Sequence, residues 1–259
     1  EVTLTIKDSA GQTVKSFSTA GKGDKRLRVK AGPNRFIWNM REEGPTPRKA
    51  DENLPARRRR MFDGTAPKVL AGDYSVELKV GDEVQAQNFA ILPDPRLPIT
   101  ADDLKAQYEL KVAIRDRISE AHEALNALEQ VRAQANDWAE RAGDEEITRM
   151  AEELSGKIAA LEDRLRISEI ASRKGGENGL REKLGVLSAA IDESDHAPTA
   201  QAQEVYGNLA EDLTSVRYQV QRLIEDDVAA FTAKVEAAGV PLIAATLSSA
   251  QVESPAEDD

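Results

Sequence analysis

The hydrophobic period of the chain changes once, at a proline-rich junction, and this change limits what the chain can fold into. Residues 92–98 carry three prolines, Pro93, Pro95 and Pro98, which forbid helix and favour an extended linker. Before the junction, apolar residues recur every second position. Beyond it they recur every three to four. The two halves therefore belong to different structural classes, and the expectation is an α+β, multidomain chain. Its predicted parts are a β domain over residues 1–95, a helical domain over 96–243 and a disordered acidic tail over 244–259.

In the first half Val2, Leu4 and Ile6 alternate with Thr3, Thr5 and Lys7, and Asp8 to Gly11 is turn chemistry. Val14 and Phe17 supply a second strand, and Leu27 and Val29 a third. Phe36, Trp38 and Met40 make a fourth, Tyr74 to Val80 a fifth. Gly81-Asp82 reads as a two-residue hairpin turn, and Val84 to Leu92 returns from it. Short strands at this spacing predict a small antiparallel sandwich. Residues 42–70 fall outside the pattern. They lack a period and hold Pro45, Pro47, Pro55 and Pro67, and a loop of that length is functional, disordered or packed on something else. Within it Arg57, Arg58, Arg59 and Arg60 form a basic run, a candidate contact for an anion or partner.

In the second half Thr100 is placed to cap a helix, with Asp102 and Asp103 in its first turn. From Ile114 the apolar stripe steps through Ile118, Ala121, Leu125, Leu128, Val131, Ala135 and Trp138, and Gly143 ends it. A second helix starts near Asp144, carries Ile147, Met150, Leu154, Ile158, Leu161 and Leu165, and is expected to stop near Ser172 to Gly176. A shorter helix holds Leu180, Leu184, Leu187 and Ile191. Thr199 caps the last, whose stripe runs from Val205 and Tyr206 to Val235 before Gly239 and Pro241. Three long helices and one short one predict an up-down bundle.

Charge divides at the same place. Residues 1–95 hold 17 Lys and Arg against 13 Asp and Glu, +4, and residues 96–259 hold 18 against 33, −15. The acidic half argues against nucleic acid as a partner. Cys is absent and His occurs twice, which excludes a disulfide framework, a thiolate metal site and a Cys nucleophile. No apolar run reaches the ~20 residues of a membrane span.

Glu193-x-x-His196 is the one Glu-x-x-His pair. It falls in a loop, and a bundle di-metal site needs two on helices. His122 reads as a boundary histidine beside the first helix's apolar face. Glu152-Glu153, Asp226-Asp227 and Asp144 to Glu146 read as solvated faces. The glycines from Gly175 to Gly179 follow a helix rather than a strand, so they are no phosphate loop. Trp38 reads as core, while Trp138, near a helix end, either caps the bundle or touches another domain. No catalytic residue, cofactor or metal ligand is assigned.

Val2 to Val14 resembles the opening of a flagellar hook-capping-type immunoglobulin-like domain. Gly32-Pro33-Asn34-Arg35-Phe36-Ile37-Trp38-Asn39-Met40-Arg41 is similar to that domain's Trp-bearing strand, and Ala71-Gly72-Asp73-Tyr74-Ser75-Val76 to its Gly-x-Tyr-x-Val strand. With Asp94-Pro95-Arg96, Ala197 to Tyr206, Asp227 to Phe231 and Gly239-Val240-Pro241, the whole resembles the C-terminal region of BNR-repeat, sortilin-like β-propeller proteins, many named glycosyl hydrolases. The resemblance covers about residues 1–243. It implies an Ig-like sandwich lacking its first strand, an accessory region that follows a propeller of the same chain, and an extracellular or periplasmic place. The chain opens on Glu1 in mid-pattern with no signal peptide, as a segment of a longer protein would. The propeller's Ser-x-Asp-x-Gly-x-Thr-Trp motif does not occur, so no functional residue carries over. Basic residues replace an aromatic and aliphatic stretch in the 42–70 loop, and glycines replace Asn and Pro after Ser172. The expected role is bracing the propeller or contacting another protein or a glycan. Two alternatives are a loop that completes a glycoside hydrolase site in the propeller, and a carbohydrate-binding module.

Overall fold

The computed structural model of the chain describes residues 1–52, 54, 62–167, 176–193 and 195–240. It is α+β. Strands β1 (Val2–Asp8), β2 (Thr13–Ser18), β3 (Gly72–Val80) and β4 (Glu83–Ile91) form one antiparallel sheet in the order β2-β1-β3-β4. Helices α1 (Ala101–Ala142), α2 (Glu145–Leu165), α3 (Leu180–Ile191) and α4 (Ala200–Arg222) follow. A π-helical stretch, Leu223–Val228, leads from α4 into α5 (Ala229–Ala237).

The alternation of β1 is used as expected. Leu4 and Ile6 stand opposite Leu78 and Val76, and Leu4 opposite Phe17, so one face of the sheet is apolar. Its fully buried apolar residues are Ile6, Phe17 and Leu27, with Trp38, Tyr74 and Phe89 packed against them. Trp38 meets Tyr74 and Phe89 edge-on at ring separations of 6.3 and 6.5 Å.

The strands expected around Leu27 and from Phe36 to Met40 are not strands. Among the described residues there is one sheet, and these segments make only isolated bridges, Ser18 to Arg26 and Arg41 to Lys68. Local polar bonds account for the difference. Asn34 accepts from the Lys30 N–H and donates to the carbonyls of Lys30 and Gly32, which closes a turn. Met40 has φ 54°, outside strand geometry. Trp38 still reaches the core because its indole N–H is bonded to the Arg41 carbonyl.

The helix boundaries follow the capping chemistry. Thr100 and Asp103 form a reciprocal capping box, and Gly143 closes α1 with φ 59°. Asp144 and Thr199 cap α2 and α4 through their side chains. Helix α2 ends at Leu165, the last residue of its stripe and short of the expected stop near Ser172 to Gly176, where Arg166 turns extended and its backbone packs on Gly179. A Cβ at Gly179 would lie 2.4 Å from the Arg166 nitrogen.

Around the π-helical stretch Leu223 is buried, Ile224 and Val228 pack against the helical core, and Asp227 pairs with Lys157 at 2.5 Å.

All the helices share one apolar core, with Ile114, Leu125, Leu128, Ile147, Ile158 and Leu213 fully enclosed. Leu161 lies in it at 8% exposure. Leu161→Ala is expected to cost about 2–3 kcal/mol, the lower part of the range for such truncations, because the site touches its edge. Urea unfolding measures it.

Candidate functional site

Beside its apolar stripe, α1 carries a polar row at helical spacing: Tyr108, Lys111, Arg115, Ser119, His122, Asn126 and Glu129, in steps of 3, 4, 4, 3, 4 and 3. Helix α3 carries a shorter one, Arg181, Gly185, Ser188 and Asp192. The described residues of the 42–70 loop lie along both rows, so the loop packs on this chain's own helices.

The fastening can be followed along the loop. Arg41 grips Asp192 with both terminal nitrogens, at 3.1 and 2.6 Å. Glu42 accepts from Tyr108 at 2.5 Å and from Arg115 at 3.1 Å. The Thr46 N–H donates to Ser119, and the Thr46 carbonyl meets His122 Nδ1 at 2.5 Å. Arg48 pairs with Glu129 and with Asp51, and the Lys49 N–H donates to Asn126. Arg181 holds Asp51 and Asp63, each at 2.8 Å, under the Phe62 ring. Asp63 also faces His122 Nε2 at 3.2 Å.

Further along, Thr65 donates to Asp192 and accepts from Lys111, whose ammonium also donates to the Ser188 hydroxyl and carbonyl. At Gly64 and Gly185 the two backbones approach closely. A Cβ on Gly185 would lie 2.2 Å from the Phe62 carbonyl oxygen, and one on Gly64 2.7 Å from the Ser188 side chain.

These charges are withdrawn from water. Lys111 and Arg181 are 3% exposed, Asp51 7%, Asp63 8% and His122 0%. Burial by itself would raise the Asp63 carboxyl, yet the His122 hydrogen bond and the Arg181 charge hold it below the ordinary range. Burial acts the same way on Asp192 and is overcome by Arg41, Lys111 and Thr65. Burial pushes the Lys111 ammonium down to about 8, against the pull of Asp192. Arg181 Nη2 and Asp51 Oδ2 are held by charge contact without an aligned hydrogen bond, so the junction fixes geometry more than it adds stability.

A pH dependence follows with a definite sign. The Asp63 and Asp192 carboxyls titrate lower in the folded chain than in the unfolded one. Their stabilisation is present above the unfolded value of 3.8 and is lost as pH falls through the folded values. Urea midpoints are expected to drop between about pH 5 and pH 2, and Asp192→Asn to flatten that drop. Lys111 acts at the other end. Above about 8 the unfolded chain binds more protons at this group, so its contribution rises with pH.

Of the residues singled out in the sequence, Arg57, Arg58, Arg59 and Arg60 lie outside the described residues, as do Ser172 to Gly175 and the 244–259 tail. Trp138 packs against the helical core rather than on the sheet. It lines a cleft of about 160 Å³ with Val131, Leu154, Phe231, Val235 and Val240, and the Arg141 guanidinium lies 5.2 Å from its ring centre. His122 is not at the boundary but enclosed in the junction. Tyr108 stands in the polar row, where its hydroxyl donates to Glu42. His196 and Glu193 are exposed, and among the described residues no group of three His, Asp or Glu is placed to hold a metal ion. No helix among the described residues is long and apolar enough to cross a membrane. No protein-family model matches the chain, and no curated protein and no solved structure matches it.

The polar rows were within reach of the sequence. Their signal is a second helical period made of hydrogen-bonding residues, which a search for apolar periods passes over.

Proposed function

We propose that this chain is a non-catalytic interaction region, a sheet and a helical bundle riveted into one rigid unit. On this reading it is the accessory C-terminal region of a secreted, BNR-repeat, sortilin-like β-propeller protein of the glycosyl-hydrolase-named kind. The sheet is then part of an Ig-like sandwich and the helices an up-down bundle. Its partners are the upstream propeller of the same chain and, through its outer surfaces, another protein or a glycan.

One observation carries this reading: the densest set of buried titratable groups is spent on joining loop to helices. Lys111 and Ser188 are in hydrogen-bond contact, as are Asp63, His122 and Thr46, but both sets are closed in and turned on each other. A nucleophile or general base needs access to a substrate atom, which these groups lack. The small apolar core under the sheet supports the same conclusion, since a four-stranded layer whose core buries only Ile6, Phe17 and the neighbouring Leu27 gains from a rigid support. A carbohydrate platform needs exposed, coplanar aromatics, whereas Trp38, Tyr74 and Phe89 pack on one another.

Two measurements test the proposal. The residues encoded upstream of Glu1 are expected to contain Ser-x-Asp-x-Gly-x-Thr-Trp repeats, and their absence would remove the propeller. The chain is also expected to show no turnover on a panel of glycosides and polysaccharides. Turnover abolished by mutating one acidic pair would overturn the non-catalytic reading.

A further inference from the structure

The two edges of the sheet are unlike. The outer edge of β2 is defended: the Leu27 N–H bonds the Ser18 carbonyl, Ser18 bridges Arg26, and the β1–β2 register shifts between Ile6 and Lys7. These are the usual devices against edge-to-edge pairing. The other edge, β4, has none of them. Its nine residues contain no Pro, Lys or Arg and pair with β3 without a bulge. Residues Glu83 to Asn88 are all exposed, Val84 at 53%. Among the described residues the β4 backbone bonds only β3, apart from the Gln87 side-chain amide on the Asn88 carbonyl.

The hairpin fixes which groups point outward. Val80 and Glu83 flank the two-residue turn Gly81-Asp82 and form its hydrogen-bonded pair. Gln85, Gln87 and Phe89 then bond β3 as well. Val84, Ala86, Asn88 and Ala90 turn their N–H and C=O groups away from the sheet.

We propose that β4 is a self-association edge, which pairs antiparallel with β4 of a second copy of this chain. The strand's own sequence supports this occupant. Pairing about Gln87 overlaps all nine residues and keeps each sheet face continuous. Val84 then stands opposite Ala90 of the second copy, Ala86 opposite its Asn88, and Gln87 opposite itself. The outward groups of Val84, Ala86, Asn88 and Ala90 form about eight inter-chain bonds. Glu83 is the one titratable residue in β4, and it meets Ile91 of the second copy, so no like charges oppose each other. Val84, Ala86 and Ala90 share one face and continue as an apolar row across the seam.

Sedimentation of the whole chain from micromolar to several hundred micromolar concentration tests this. A monomer–dimer equilibrium is expected, with amide exchange at Val84, Ala86, Asn88 and Ala90 slowing as concentration rises, and exchange at Gln85, Gln87 and Phe89 unchanged. Ala86→Pro removes an outward N–H without touching the β3 bonds and is expected to weaken the dimer about tenfold or more. Ala86→Lys, which sets two ammonium groups on neighbouring diagonal positions, is expected to do the same with full helical and sheet content, and serves if the proline variant does not fold. A monomer throughout would overturn the proposal. So would a dimer whose affinity neither variant changes, or one whose concentration-dependent protection lies away from β4.

Discussion

Replacing Arg181 with leucine is expected to destabilise the chain by about 3–5 kcal/mol, read from urea or guanidinium unfolding. The loss does not come from packing, since leucine fills much of the space. It comes from Asp51 and Asp63, which sit at 7% and 8% exposure and would keep their charges in a site that water does not reach. Arg181 now holds Asp51 through Nη2 and Asp63 through Nε. His122 and Arg48 remain near the two carboxylates but do not replace a fork that spans both. Arg181→Lys keeps the charge and loses the fork, so an intermediate cost is expected. Adding Asp51→Asn and Asp63→Asn to Arg181→Leu should restore a large part of the loss, because the uncompensated charges are then gone. A full cycle of these variants separates the coupling from the individual truncations. A loss below about 1 kcal/mol in Arg181→Leu would mean that the junction is open to solvent.

Gly185→Ala is expected to cost about 3 kcal/mol or more, the upper end for forcing atoms into a packed site. Helix propensity alone predicts the opposite sign. Gly185 is inside α3, where alanine should gain about 1 kcal/mol. The new methyl, however, would lie 2.2 Å from the Phe62 carbonyl oxygen and 3.2 Å from the Gly64 nitrogen. Both are backbone atoms of a loop pinned on either side by Arg181 and Thr65, so neither can yield cheaply. Gly156→Ala is the matching control. Gly156 lies inside α2 with nothing within 4 Å of an added Cβ, and the substitution is expected to stabilise by roughly 0.5–1 kcal/mol. Opposite signs for the two variants in unfolding experiments would show that the loop seats against α3 as described.

Both effects depend on a segment whose own sequence has no period. Residues 42–70 contain turn-forming prolines and scattered charges, and nothing in their spacing says what they lie against. The partners are far along the chain: Asp192 is 151 residues from Arg41, and Arg181 is 118 from Asp63. Local pattern cannot register such pairs, because a charged residue reads alike whether it faces water or a buried counter-charge. Lys111 shows the point. In the sequence it is one more base on a long helix, and only the meeting of Thr65, Ser188 and Asp192 around it makes it a buried ammonium.

The chain's local chemistry was legible wherever a residue's role depends on its near neighbours. The alternation of Val2 to Ile6 and of Tyr74 to Val80, the Gly81-Asp82 turn, the Thr100 and Thr199 caps, and the apolar stripes of the helices follow from backbone geometry and solvent exclusion within a few residues. The tertiary structure decided the rest. It left Phe36 to Met40 out of the sheet while keeping Trp38 in the core, and it ended α2 where Arg166 meets Gly179. It also turned an unpatterned loop into the piece that joins sheet to helices. In each case the deciding energy lies between groups distant in sequence. Desolvated charges must find counter-charges and close backbones must find glycines, and only the folded chain brings them together.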